Sequence, residues 1–260
     1  MAIRYDLTGT DILKMLGFTE KNGKEILDKL EKEKNIKLPK VLYDFLSLAI
    51  HNPLFETADI WTGARTNNLL PRFLYETIQE CIDDMKGDWE DCPEEYADNE
   101  VYQFAQMPKE QWGERVADYL EIGSDYGAGV SVSGILKEDL VKEDPPVYML
   151  IEEESFTDWW VYRETLSDFL MSILVDVFVC TEYNSAVYVS EDMGFEYYKF
   201  DALTDSEEKG IDLSLVRKYG SMYHEDEFYG CVYDDEEESL IFIGGNDEED
   251  ISFEIRKCEE

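Results

Sequence analysis

Histidine is nearly absent from this chain: two occur in 260 residues, His51 and His224. Histidine is the usual proton carrier near neutral pH and a common metal ligand, so its scarcity narrows the available chemistry. His51 falls where a helical pattern ends, a position at which it serves as a cap. His224 sits in Tyr223-His224-Glu225-Asp226-Glu227. No second histidine stands at helical spacing and no cysteine at ligand spacing, which argues against a zinc site. Basic residues are also scarce, 23 against 61 acidic ones, for a formal net charge of −38. Such a surface repels a phosphate backbone and an anionic membrane, so direct nucleic-acid and membrane binding are not expected.

The five cysteines, Cys81, Cys92, Cys180, Cys231 and Cys258, are odd in number and widely spaced, with no CxxC. That pattern predicts reduced thiols in a reducing compartment. The opening MAIRYDLTGTD has no apolar stretch leading to a small-residue cleavage site, which predicts a cytoplasmic protein. The longest apolar run, Phe169 to Cys180, is broken by Ser172 and Asp176 and is too short to span a bilayer. Glycine and proline are few, 16 and 7, and mark no linker, so a single domain is expected. The alternative is two domains divided near residue 181.

Catalytic motifs are missing too. No GxSxG elbow is present; in Gly123-Ser124-Asp125-Tyr126-Gly127 the serine directly follows the first glycine, and no helical pattern comes next. Gly127-Ala128-Gly129 is only GxG and reads as a turn. Asn246-Asp247-Glu248-Glu249-Asp250 has the acidity of a calcium loop without its alternating ligand spacing. No catalytic residue, metal site or cofactor is predicted, and the chain is not expected to be an enzyme.

What is present is negative charge and aromatic surface. Residues 1–40 hold nine basic and seven acidic side chains, whereas 41–260 hold 14 and 54, a net of −40. A partner drawn by charge therefore meets the body of the domain rather than its first helices. Trp61, Trp89, Trp112, Trp159 and Trp160 stand among 17 tyrosines and 13 phenylalanines. Aromatics bury large areas in cores and at interfaces. Trp159 and Trp160 point to opposite sides if their segment is a strand, and diverge by about 100° if it is helical.

Periodicity divides the chain. Ile12, Leu13, Leu16 and Phe18 form a short apolar cluster. Ile26, Leu27 and Leu30 predict a helix from about Asn22 to Lys34. Pro39 predicts the first turn of another helix, carrying Val41, Leu42, Phe45, Leu46 and Ala49 and stopping near His51-Asn52-Pro53. Leu70, Phe73, Leu74, Ile78 and Ile82 predict a helix from Leu69 to Met85, followed by an acidic loop over 86–100. Val101 to Phe104 is a strand candidate. Strands are predicted at Tyr119 to Ile122, Val130 to Ser133 and Val147 to Ile151. Thr165 predicts a cap for a helix through Leu166, Phe169, Leu170, Ile173, Leu174 and Val177. Further strands are predicted at Ala186 to Val189, Phe195 to Phe200, Phe228 to Tyr233, Ser239 to Ile243 and Ile251 to Ile255, with a helix at Asp212 to Tyr219. That order predicts α+β with a largely antiparallel sheet.

Four blocks resemble the SMI1/KNR4 family, also called the SUKH superfamily. Leu38-Pro39 with Tyr43, Phe45 and Leu46 resembles the family's "LPxxYxxFL" helix, with Lys40, Val41 and Leu42 between Pro39 and Tyr43. Tyr119-Leu120-Glu121-Ile122-Gly123-Ser124-Asp125-Tyr126-Gly127-Ala128-Gly129 resembles its strand and glycine-rich turn. Pro146-Val147-Tyr148 resembles the next strand, and the helix with Phe169 and Leu170 the terminal helix. The blocks span roughly residues 22 to 178. His51-Asn52-Pro53 departs from the Asn-Gly turn common in members, and residues 181–260 form a strand-rich elaboration beyond a compact member.

The resemblance implies amino-terminal helices packed on a largely antiparallel sheet, and a binding protein rather than an enzyme. Many bacterial members are immunity proteins that block a cognate toxin, often a nuclease; others are regulatory scaffolds with non-toxin partners. An acidic inhibitor complements the basic groove of a nuclease, so a basic toxin domain is the expected partner and a scaffold function the alternative. The expected partner-binding residues are Asp88, Trp89, Glu90 and Asp91 in the acidic loop, Asp125 and Tyr126 in the glycine-rich turn, and Trp159 with Trp160.

Overall fold

The computed structural model describes residues 3–20, 22–50, 70–91, 93–114, 116, 118–125, 131–151, 159–179, 194–217, 228–245 and 250–257. The strand candidate Ala186 to Val189, both histidines and Tyr126 lie outside them.

The first residues form a short strand, β1 (Ile3–Arg4), before helix α1 (Gly9–Met15). Thr8 starts that helix with a capping box. Its hydroxyl accepts from the Asp11 amide at 3.1 Å, and the Asp11 carboxylate accepts from the Thr8 amide at 3.0 Å. Helix α2 (Gly23–Lys34) ends at Asn35, which takes the left-handed conformation at φ 51°. The buried Glu31 carboxylate accepts from the Leu38 amide at 2.8 Å and from Lys37 Nζ. It thereby fixes the turn that leads into α3 (Lys40–Ala49). Pro39 stands at the N-cap of α3, one position before the expected first turn. Leu42, Phe45, Leu46 and Ala49 make up its buried stripe, as their spacing requires.

A two-residue strand, β2 (Arg72–Phe73), runs directly into α4 (Leu74–Asp91). Glu76 holds this junction: its carboxylate accepts from the Phe73 amide at 2.6 Å and from Lys34 Nζ of α2 at 2.7 Å. Helix α4 runs six residues past the expected end at Met85 and takes up the start of the expected acidic loop. The cause is legible in the side chains. Ile78, Ile82, Met85 and Trp89 recur at helical steps, and this stripe belongs to one apolar cluster. Residues 93–96 form a 3-10 turn, so the acidic stretch is mostly helical. Val101 to Phe104 is also helical, inside α5 (Glu100–Ala105), because Asn99 Oδ1 accepts from the Tyr102 amide at 3.0 Å and starts a helix there.

Strands β3 (Tyr119–Asp125), β4 (Ser131–Leu136), β5 (Val147–Ile151) and β6 (Trp160–Arg163) follow as an antiparallel meander. With β2 they form a sheet in the order β2-β3-β4-β5-β6. Helix α6 (Leu166–Val179) comes next, and Thr165 Oγ1 accepts from the Asp168 amide at 3.1 Å, the expected cap.

Strand β7 (Phe195–Asp201) leads into an unexpected helix, α7 (Ala202–Lys209). Asp201 caps it through the Thr204 amide at 2.7 Å, and Gly210 ends it at φ 69°. The helix expected at Asp212 to Tyr219 is a set of turns over its described part. Strands β8 (Phe228–Asp234), β9 (Ser239–Gly245) and β10 (Asp250–Lys257) complete a second sheet, ordered β1-β8-β9-β10-β7. Among the described residues, every strand pair is antiparallel. The carboxy-terminal elaboration thus builds its own sheet, and the amino terminus joins it through Ile3 opposite Asp234.

Strand alternation explains the layering. Cys231, Leu240, Phe242 and Ile255 of the carboxy-terminal sheet share a core with α1–α3, α6 and with Leu120, Ile135 and Val147 of the β2–β6 sheet. The intervening Val232, Ile241 and Ile243 pack with Ala202 of α7. On the far face of the β2–β6 sheet, Val132 and Leu150 meet α4 and α5. Among the described residues, no helix is long and apolar enough to cross a membrane.

Candidate functional site: an aromatic surface on the β2–β6 sheet

The face of the β2–β6 sheet beneath α4 is incompletely covered. The start of α4, the 3-10 turn Lys109–Glu114 and the start of β3 enclose a groove of about 340 Å³. Leu74, Ile78 and Val116 give it an apolar lining, and Tyr75, Trp112 and Tyr119 supply aromatic walls. Trp112 is held rigidly: its indole N–H donates to the Phe104 carbonyl at 3.1 Å, and its ring packs edge-on against Phe104 at 5.8 Å. Tyr75 is 50% exposed and forms the open side. Lys109 and Asp118 supply charge, with Lys109 Nζ 5.7 Å from the Trp112 ring centre and Asp118 paired to Lys137 at 2.7 Å.

The aromatic surface continues from the groove across the sheet. Tyr119 stacks on Trp159, with ring centres 4.0 Å apart and planes 13° from parallel, and meets Tyr148 edge-on at 5.4 Å. Gly134 on β4 makes this possible. A Cβ there would stand 3.2 Å from the Trp159 ring and 3.2 Å from the Leu120 carbonyl oxygen. The strand predicted to stop at Ser133 runs on through Gly134 to Leu136, and the glycine serves close approach. Beyond Trp159, β6 exposes Val161, opposite Tyr148, at 53% on this face and Trp160, opposite Met149, at 40% on the other.

The tyrosine hydroxyls along this surface are held protonated. Burial raises Tyr119 above its ordinary pKa, and Tyr148, Asp139 and Glu138 add to the rise. Tyr148 is raised by burial and by the Asp139 carboxylate, to which its hydroxyl donates at 3.4 Å. Tyr75 is raised by burial, then by Glu76 and Asp118. These rings act as neutral apolar bodies with polar tips, the chemistry of a contact surface.

Glu121 is the buried carboxylate nearest this surface in sequence. It accepts from Arg72 Nε at 3.1 Å and Nη2 at 3.3 Å, and from the Thr77 hydroxyl. Arg72 also bonds Glu80 at 2.5 Å. The network ties β2 and α4 to β3 and fixes the groove wall. Among the described residues, no group of three or more histidines, cysteines and carboxylates is placed to hold a metal ion. Cys231 is a buried free thiol, and burial pushes its pKa well up.

The expected interface residues separate. Trp89 is core: it is 5% exposed, edge-on to Tyr102 at 5.4 Å and to Tyr96 at 6.4 Å. The expectation that it reaches a partner fails because the apolar stripe of α4 points it inward. Asp88, Glu90 and Asp91 lie on α4 and Asp125 ends β3, with side chains outside the described set. Trp159 lies on the aromatic surface, half-buried and stacked on Tyr119, whereas Trp160, opposite Met149 in the ladder, is exposed on the other face of the sheet. Sequence reasoning missed Tyr75, Trp112, Tyr119 and Val161 as members. Only the first of these carries a usable signal, because Tyr75 falls off the apolar stripe of its helix. No protein-family model, curated protein or solved structure matches the chain.

Proposed function

We propose that the chain is a non-enzymatic binding protein of the SMI1/KNR4 immunity type, which neutralises a cognate bacterial toxin, a basic nuclease in preference to other classes. The observation that carries this reading is the aromatic surface running from the groove through Tyr119 to Trp159 and bordered by exposed Val161, on a chain of net charge −38. The charge draws in a basic partner over long range, and desolvated aromatics supply the affinity once contact is made. A nuclease must carry a positive groove for its phosphate contacts, which makes it the natural complement of this surface.

Co-expression with a toxin domain encoded beside this gene tests the reading. Survival is expected, with complex formation that weakens as salt rises. Cell death together with no binding at low ionic strength refutes it. Tight binding that salt leaves unchanged keeps the immunity reading and removes the electrostatic account.

A further inference from the structure

Among the described residues β6 is the outermost strand of its sheet, with β5 on one side and no strand on the other. Sheet edges present unpaired backbone groups, and proteins commonly protect them with charge or by keeping them short. The carboxy-terminal sheet does so. Its edge strand β7 exposes Glu196, Tyr198 and Lys199, and the Tyr198 ring is covered by the Arg256 guanidinium at 5.2 Å. The outer strands β1 and β2 are two residues long. At β6 the exposed residues are Trp160 and Val161, neither of them charged. Being consecutive in a strand, they project to opposite faces of the sheet. An added strand would thus find apolar surface on both of its faces, whereas a partner lying flat on one face would reach only one of them.

We infer that the β6 edge accepts an extended basic segment of the protein partner as a sixth antiparallel or parallel strand. This rests on the proposed partner-binding reading and names how the partner is held. Backbone pairing supplies the register, Trp160 and Val161 the apolar contacts, and charge the choice of occupant. In sequence, residues 152–168 carry six acidic side chains and one basic one, Arg163. That guanidinium is turned onto its neighbour, donating to the Tyr162 carbonyl at 3.2 Å and hydroxyl at 3.1 Å. The open stretch is therefore the amino-terminal half of β6. Short ladders serve elsewhere in this fold, since β2 holds to β3 through two residue pairs. A second copy of the chain is the poorer occupant, because each copy brings a net charge of −38.

The test uses the full chain and a synthetic ten-residue peptide of alternating lysine and valine, beside a control in which proline replaces each valine. Backbone amide exchange and binding are followed at low ionic strength. The alternating peptide is expected to slow exchange at Trp160–Val161 by about tenfold or more, and the proline peptide of equal charge is not. Val161→Lys and Trp160→Ala should each weaken binding about tenfold or more, while Val161→Thr retains it. Equal binding of the proline peptide, or unchanged exchange at β6, overturns the inference. So does protection that appears without peptide and grows with protein concentration, which marks self-pairing. The co-expression assay separates the two readings. If the wild-type chain protects cells and Val161→Lys protects equally, strand addition fails and immunity stands. If the wild-type chain does not protect, immunity fails and the peptide result alone decides the edge.

Discussion

Replacing Trp89 distinguishes a core residue from an interface residue. The ring is enclosed by the α4 stripe, Tyr96 and Tyr102. Its indole nitrogen has no hydrogen-bond partner among the described residues. A buried tryptophan removes roughly 200 Å² from water, about 5 kcal/mol at 25 cal/mol per Å² and an upper bound because unfolded chains are partly compact. Trp89→Ala keeps a little of that area and leaves a cavity, so the expected loss is about 3–4 kcal/mol. Trp89→Phe loses roughly a quarter of the area, about 1 kcal/mol. It also removes an unsatisfied donor whose burial costs about 1–3 kcal/mol. The phenylalanine variant should therefore match the parent within about 1 kcal/mol. Urea unfolding followed by far-ultraviolet circular dichroism reads both values. In thermal melts the alanine variant should fall by roughly 6–16 °C, at about 2–4 °C per kcal/mol for a chain of this size. An unchanged midpoint for Trp89→Ala, with loss of partner binding, would return the residue to the interface and refute the packing argument. A phenylalanine variant as unstable as the alanine one would refute the role given to the orphan N–H.

Two further outcomes follow from the carboxy-terminal sheet. Burial raises the Glu254 carboxyl, but bonds from Arg256 Nε at 2.7 Å and Lys209 Nζ at 2.5 Å outweigh it, leaving the pKa below the ordinary 4.5. A depressed folded-state pKa contributes stability above the unfolded value and loses it as pH falls through the folded one. Glu254→Gln should therefore be less stable than the parent at pH 7, with the gap closing as pH drops below about 4.5; a pH-independent gap in denaturation midpoints would contradict the linkage. Truncation after residue 180 removes Phe195, Cys231, Leu240, Phe242 and Ile255 from the shared core. The fragment should show no cooperative unfolding transition, and a folded, soluble 1–180 would instead support two domains.

Local elements with a strong period were readable from the residues alone. Leu42, Phe45, Leu46 and Ala49 give α3 its stripe, and Thr165 marks the start of α6 through its own hydroxyl. Alternation located β5 at its observed bounds and β7 to β10 within a few residues. Each of these signals lies within one or two turns of chain, where spacing alone decides which side chains share a face. Misreadings arose where two local signals competed. The acidic residues after Met85 hid Trp89, which continues the α4 stripe, and the alternation at Val101 to Phe104 outweighed the Asn99 cap.

The candidate site belongs to the other category. Its groove joins residues from Leu74 to Tyr119, and the surface continues through Trp159 only because Gly134 lets that ring lie over the sheet. Likewise, no local pattern near Ile3 names Asp234 as its partner, or divides the strands into two sheets with β6 at an edge among the described residues. Periodicity states that a face is apolar but not what covers it. Sequence therefore determined the elements and the acidic charge, while the choice between buried Trp89 and exposed Trp160 was made by long-range packing, which leaves one tryptophan enclosed by α4 and α5 and the other on an open strand.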